Sequence, residues 1–336
     1  MEPNPNIHRA MNLRFVFACD AEFSNGAGHI MRSLSIAEEL QDRGYEIIFL
    51  GPIDLPNWVL KELSKFEVVT NDNYLLAGFD SDPARDFLVL DSYTRTIDDV
   101  SAASTKYLGV AALVDEITPQ YPADIYFSLN LIESRKFKKS YFGPKYIPIR
   151  RAILEAKSTE TSLQDVFKVL VTGGGTDPYN FVPYAIEQIS KISGEFKVVV
   201  ITDKIREFND SRFEFCETGS SIIEIIRTAD LAISPASTSS YEFLACGIPL
   251  GLFCVTDNQI ENFKALTNLG YGAPLGRRNY DNSWDINTKI LTNLLTDRKY
   301  IAELRQSQGN FLFTDGARNI VDLLLNLISN RMAGIE

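Results

Sequence analysis

The chain is short of the residues that staple a fold or bind metals, with 4 cysteines and 2 histidines in 336 residues. Cys19, Cys216, Cys246 and Cys254 are scattered, with no CxxC pair and no His/Cys cluster, so neither a disulfide framework nor a zinc site is written in their spacing. Three of them lie in or beside apolar runs, where free cysteine behaves as a small buried hydrophobe. That usage fits a reducing, cytoplasmic setting. No apolar run approaches the roughly 20 residues of a membrane span. The start, Met1-Glu2-Pro3-Asn4-Pro5-Asn6, lacks the basic region of a signal peptide, and residues 1–10 read as a loose tail. Positive charge is also in deficit. Thirty-three Lys and Arg against 44 Asp and Glu give a formal net charge of -11, which argues against a broad surface for nucleic acid or anionic membrane. A phosphorylated ligand stays compatible, because helix N-termini and a few local arginines can hold one. No short-period repeat is present, which excludes a solenoid.

What is present is an ordinary globular composition, 45% apolar and 23% charged, in a chain long enough for two domains. Apolar runs recur on a strand–helix rhythm. Leu13–Cys19, Tyr45–Leu50, Phe66–Val69, Phe87–Asp91, Ala111–Glu116 and Ile125–Asn130 read as strands, with helices after the first, after Pro56 and between later pairs. Hydrophobic periodicity then lapses over Ala152–Gln164, which reads as a linker. A second series follows, with strands at Phe167–Thr172, Phe196–Ile201, Leu231–Ser234 and Pro249–Phe253. Its helices read as Val182–Ile192, Ser220–Thr228, one opening at Pro235–Ser240 and one after Asp257. Helices over Ile286–Leu295, Asp297–Ser307 and Gly316–Ile328 end the chain. The expectation is α/β: two Rossmann-like lobes, residues 11–155 and 165–310, facing a cleft.

The first series is organised around Asn25-Gly26-Ala27-Gly28-His29-Ile30-Met31-Arg32, a glycine loop between strand and helix. His29 stands at the mouth of that helix and is the histidine outside the tail, since His8 lies in the Pro/Asn-rich start. An imidazole there is the first candidate for acid–base chemistry near neutral pH. A backbone-capping histidine is the plainer alternative. The loop lacks the third glycine of the dinucleotide fingerprint and is not followed by Gly-Lys-Ser/Thr, so neither nicotinamide cofactor nor Walker-type ATP binding is indicated. Asp91-Ser92-Tyr93-Thr94 and Asp115-Glu116 close two further strands, where sites of open α/β sheets gather.

The second series carries Gly173-Gly174-Gly175-Thr176-Asp177, whose glycines open the backbone to a ligand. Ala236-Ser237-Thr238-Ser239-Ser240 offers hydroxyls and first-turn amides to a diphosphate. Glu242, one turn later, can accept two hydrogen bonds from ribose hydroxyls. Helix capping by the serines is the competing reading. Asp257-Asn258-Gln259 adds amides that can hold a sugar hydroxyl, an acetamido group or a water, or else a simple cap.

Taken together, Asp20 with Gly26-Ala27-Gly28-His29-Ile30-Met31-Arg32, Asp91-Ser92-Tyr93, Asp115-Glu116, Gly174-Gly175-Thr176-Asp177, Ser237 through Glu242 and Asn258-Gln259 resemble, in order, the UDP-sugar hydrolases of pseudaminic acid biosynthesis. The resemblance spans roughly residues 13–272. That family acts on a UDP-linked diacetamido-trideoxy sugar and is similar in fold to the GT-B glycosyltransferases, whose C-terminal Asp-Gly element Asp315-Gly316-Ala317 echoes; this likeness implies a helix in 311–336 that folds back onto the first lobe. The resemblance implies metal-independent, cofactor-free hydrolysis at C1 that inverts the anomeric centre and releases UDP. It makes His29 the general base and places Tyr93 and Asn258 at the sugar and water. Asp20, Gly28, Arg32, Gly174, Gly175, Thr176, Ser237, Thr238, Ser239, Glu242 and Gln259 are the substrate-binding set, with Glu242 on the ribose. The chain departs from the family at Ala18, where an arginine is usual, and at Glu22 and Phe23, where small or polar residues are common. Those changes leave the sugar open. Glycosyl transfer to a non-water acceptor and nucleotide-sugar binding without turnover stand as alternatives, and the oligomeric state is not legible.

Overall fold

A computed structural model describes residues 13–22, 27–51, 53–70, 78–115, 117–132, 137–156, 166–205, 208–219, 222–309 and 315–334. The expected tail, the family-motif residues Gly26 and Glu116, the departure at Phe23 and most of the expected linker lie outside them. The chain divides into two compact units, Met1–Pro148 with Thr314–Glu336, and Ile149–Phe313.

The first unit holds a seven-stranded parallel sheet. Its strands are β1 (Arg14–Cys19), β2 (Glu46–Leu50), β3 (Glu67–Val69), β4 (Asp86–Asp91), β5 (Gly109–Val114), β6 (Ile125–Ser128) and β7 (Ser140–Tyr141), in the order 3-2-1-4-5-6-7. Helices α1 (Gly28–Asp42), α2 (Asn57–Leu63) and α3 (Ile97–Ser104) form the crossovers. The continuous apolar run of β1 has a direct cause. Alternate side chains point to opposite faces, and both faces are covered. Phe15, Phe17 and Cys19 pack with Ile30, Leu34, Ala37 and Leu40 of α1, whereas Val16 and Ala18 join Leu88, Leu90, Val100 and Ala103 on the other side. Ala18 is thus a core residue, 1% exposed.

The closing helix α11 (Gly316–Met332) belongs to this first unit. Ala317, Ile320, Val321, Leu324 and Ile328 bury against the α1 face of the sheet at the i, i+3, i+4 spacing of an amphipathic helix. Asp315 caps it by accepting from the Arg318 amide at 3.1 Å. Arg331 to Asp124 at 2.5 Å and Asn319 to the Lys145 carbonyl at 2.8 Å tie it to two loops. Gly316 is required by close approach, because a Cβ there would lie 2.0 Å from the Ile147 carbonyl oxygen.

The second unit repeats the plan. Its strands are β8 (Phe167–Thr172), β9 (Phe196–Ile201), β10 (Phe213–Cys216), β11 (Leu231–Pro235), β12 (Leu250–Cys254), β13 (Ala273–Arg278) and β14 (Trp284–Ile286). They run in the order 10-9-8-11-12-13-14, with only the last pair antiparallel. Its helices are α4 (Arg151–Ala156), α5 (Phe181–Ser190), α6 (Ile222–Thr228), α7 (Thr238–Ala245), α8 (Ile260–Asn268), α9 (Thr288–Thr296) and α10 (Arg298–Gln308). The division falls at Pro148/Ile149, ahead of the boundary expected at 155, because Ile153 of α4 is buried in the second unit and its carbonyl meets the Cys246 thiol. Residues 286–287, read as the start of a helix, instead finish β14 and cap α9, with the Asn287 side chain accepting from the Ile290 amide. Among the described residues no helix is long and apolar enough to cross a membrane.

Candidate active site

In both sheets the strand order reverses between the first and fourth strands of the unit, and such switch points open a crevice at the strand carboxyl ends. In the first unit that point lies between Cys19 and Asp91, paired neighbours in register. The Asp20 amide extends the ladder by donating to the Asp91 carbonyl at 3.0 Å.

Asp91, the last residue of β4, is fully buried and collects three donors. His29 and Arg32, one helical turn apart on α1 and so on one face, both aim at it. Arg32 grips the carboxylate with Nε and Nη2, each at 2.5 Å, and His29 Nδ1 lies 2.7 Å from Oδ1. Burial would push the Asp91 carboxyl up, but the guanidinium and imidazole outweigh it and hold the group down at about 2. An ionised carboxylate only accepts, so the 2.7 Å contact with Oδ1 requires Nδ1 to carry the proton, and the guanidinium Nη2, 2.9 Å from Nδ1, then spends its donor on Asp91 and not on the ring. In the neutral imidazole Nε2 is then the acceptor, the form required of a general base. No hydrogen bond links Nε2 to any described residue. His29 is therefore a carboxylate-oriented imidazole, not a backbone cap.

The other first-unit residues gather around this pair. The Tyr93 ring meets His29 edge-on, centroids 4.5 Å apart, and its hydroxyl donates to Asp115 Oδ2. Asp20 folds the loop after β4: its carboxylate accepts from Ser92 Oγ at 2.7 Å, the Tyr93 amide at 2.7 Å and Thr94 Oγ1 at 2.9 Å. Asp20 thus shapes the site through the backbone that carries Tyr93. Gly28 opens α1, whose first turn has no side-chain cap and no acid.

In the second unit the corresponding strand ends carry the glycine and serine loops. Gly174 has φ +86°, a left-handed conformation that favours glycine, and its amide donates to Thr172 Oγ1 at 3.2 Å. Thr176 is buried, and Gly173 and Gly175 are half-buried. The next residue, Asp177, accepts from the Phe181 amide at 2.8 Å and the Val182 amide at 3.2 Å, closing the N-terminus of α5. The N-terminus of α7 differs. Ser237 occupies the cap position without a side-chain cap bond, and no described residue takes the hydroxyls of Ser237, Thr238 or Ser239. The capping alternative fails at those three positions, while Ser240 only bonds back to the Ser237 carbonyl at 2.6 Å. The first amides of such a helix have no intrahelical partner and favour an anion.

Glu242 is buried and held bidentately by Arg150, Nε to Oε1 at 2.6 Å and Nη2 to Oε2 at 2.8 Å. Each carboxylate oxygen keeps a second lone pair for a hydroxyl. Arg150 escaped the sequence reading; the paired Arg150-Arg151 after the Gly143–Pro148 stretch is the signal that marks it. Gln259 and Asn258 are engaged locally. Gln259 Oε1 accepts from the Val255 amide at 3.0 Å, and Asn258 Oδ1 accepts from Thr256 Oγ1. Thr256, not Asp257, stands at the cap position of the Asp257–Gln259 turn. Among the described residues no three His, Cys, Asp or Glu are grouped to hold a metal ion.

This architecture is shared with GT-B glycosyltransferases. The spinosyn forosaminyltransferase SpnP matches with a TM-score of 0.65 at 12% identity, covering 94% of this chain and 99% of that one. MurG of Acinetobacter baumannii matches at 0.61 and 13%, covering 94% and 99%. A further match is UGT89C1 of Arabidopsis thaliana, in complex with UDP-L-rhamnose, at 0.63 and 11%, covering 95% and 99%. At these identities the likeness establishes the fold: two Rossmann-like units of the GT-B type. In sequence, the chain is 20% identical over 294 residues to the spore coat polysaccharide biosynthesis protein SpsG of Bacillus subtilis, covering 78% of this chain and 83% of SpsG. It is 22% identical over 290 residues to an uncharacterised protein of Methanocaldococcus jannaschii, covering 74% of this chain and spanning 57% of that protein's length. No family model matches the chain.

Proposed function

We propose that the protein catalyses metal-independent, inverting hydrolysis of a UDP-linked diacetamido-trideoxy sugar at C1, in pseudaminic-type nonulosonic acid biosynthesis. His29 Nε2 takes a proton from water as the water oxygen bonds to C1, and the bond from C1 to the UDP oxygen breaks with its electron pair leaving on UDP. Ser237, Thr238, Ser239 and the Gly174–Thr176 loop hold the diphosphate, Glu242 holds the ribose, and Tyr93 and Asn258 are assigned to the sugar and its attacking water. UDP is a good leaving group, so a positioned base and donors for the departing phosphate are what the reaction needs. The observation that carries this reading is the Asp91-locked imidazole whose Nε2 is unclaimed by any described residue. The likeness to SpsG and the GT-B fold support the nucleotide-sugar class.

The test is UDP release from the UDP-sugar in the presence of EDTA. Release is expected with EDTA and is expected to fall about 10²- to 10⁴-fold in His29→Ala. Release that requires a divalent cation, or that His29→Ala leaves intact, overturns the reading. Glycosyl transfer is the second reading, favoured by the transferases among the structural neighbours. Strong acceleration of UDP release by an added glycan acceptor separates it from hydrolysis.

A further inference from the structure

The first unit contains a second carboxylate arm that parallels the Asp91–His29 pair. Asp115 lies just beyond β5, 7% exposed, and its two oxygens are divided between separate tasks. Oδ1 accepts from the Ile117 amide at 3.1 Å, the Thr118 amide at 3.2 Å and Thr118 Oγ1 at 3.0 Å. Those three bonds fix the carboxylate to its own turn. Oδ2 takes the hydroxyl of Tyr93, which comes from the loop after β4. The Tyr93 amide is pinned separately by Asp20 at 2.7 Å, so the ring is held at both ends, and its body lies edge-on to the His29 imidazole. The imidazole is thereby held by Asp91 at Nδ1 and contacted by a ring that a second buried acid anchors. A free tyrosine loses little by rotating away from such a contact; one whose hydroxyl is tied to a fixed carboxylate does not. Displacement of a reacting group by about 1 Å can cost about 10²-fold in rate.

We propose that Asp115 is a positioning residue for the reaction, acting on His29 through the phenol of Tyr93. The proposal rests on the hydrolase reading for its kinetic half alone. The test combines Asp115→Asn, Tyr93→Phe and the double variant, each made in protein labelled with ¹⁵N at histidine. With only His8 and His29 in the chain, two imidazoles report. Asparagine keeps Oδ1 for the Ile117 and Thr118 donors and loses the acceptor for the phenol. Both single variants are expected to displace the His29 resonances in the same direction, and the double variant no further than the larger single. In turnover each single is expected to lower kcat about 10- to 100-fold with KM within about twofold, and the double again no further. Thr118→Val, which removes the hydroxyl that donates to Oδ1 at 3.0 Å and accepts from the Asp115 amide at 2.9 Å but leaves Oδ2 to the phenol, is expected to lower stability and leave the His29 resonances in place.

His29 resonances unmoved by Asp115→Asn, effects that add in the double variant, or a Thr118→Val shift as large as that of Asp115→Asn each overturn the proposal. Absence of turnover in the unmodified protein overturns the hydrolase reading instead, and the resonances still decide the role of Asp115.

Discussion

Asp91→Asn removes the charge on which the first-unit site converges and keeps the side chain's shape. Asp91 is fully buried, and the Arg32 side chain is only 10% exposed, so the substitution strands a buried guanidinium. Breaking a buried pair by removing one partner costs about 3–5 kcal/mol. The hold of its partners on the Asp91 carboxyl corresponds to a figure of similar size. The carboxyl is held at about 2 against an ordinary 3.8, a gap worth roughly 2 kcal/mol. The sign follows from the depression: this stabilisation is complete above about pH 4 and is lost as pH falls through about 2. Urea unfolding at neutral pH is expected to show a loss of about 3 kcal/mol in the variant, with the gap to the unmodified protein narrowing between about pH 4 and pH 2. That loss lies within the roughly 5–15 kcal/mol stability of a typical domain, so the fold is expected to survive. An amide also ceases to impose the Nδ1-protonated tautomer. The comparable change in another carboxylate–imidazole pair costs about 10⁴-fold in kcat, and a similar collapse of UDP release is expected here. Coincident unfolding curves at neutral pH, or a gap that stays constant on acidification, would refute the reasoning.

Three further outcomes are expected. Gly316→Ala places a Cβ 2.0 Å from the Ile147 carbonyl and should cost about 1–3 kcal/mol in urea unfolding; a change below about 0.5 kcal/mol would mean that α11 moves freely. Ile320→Ala, at a fully buried position of α11, should cost about 2–5 kcal/mol in the same measurement. Arg150→Met strips Glu242 of its guanidinium and should abolish the thermal stabilisation produced by UDP; an undiminished UDP-induced rise in Tm would remove Arg150 from the nucleotide site.

The inner strands were legible in the sequence because burial on both faces forces an unbroken apolar run, as in Phe87-Leu88-Val89-Leu90 and Val169-Leu170-Val171. The outer strands of the second sheet were not. Phe213–Cys216 is partly exposed, and Ala273–Arg278 contains Pro274, Gly276 and two arginines, so neither reads as an unbroken apolar run. Gly276 is there for a reason invisible in one dimension, since a Cβ would strike the Asp285 carbonyl of the antiparallel β14 at 2.0 Å.

The candidate site divides along the same line. His29, Arg32, Ser237, Thr238 and Ser239 could be read locally, because a loop between strand and helix exposes the first turn by construction. The pairings could not. Asp91 meets Arg32 across 59 residues of chain, and Arg150 meets Glu242 across 92.

Periodicity and glycine placement, which are local properties of the chain, determined the alternating elements, their two series and the strand ends at which candidate residues gather. Which acid fixes which ring, and that Glu242 is already gripped by an arginine, were decided only by tertiary structure. Each depends on side chains brought within 3 Å by the register of distant strands, and no window of sequence contains both partners.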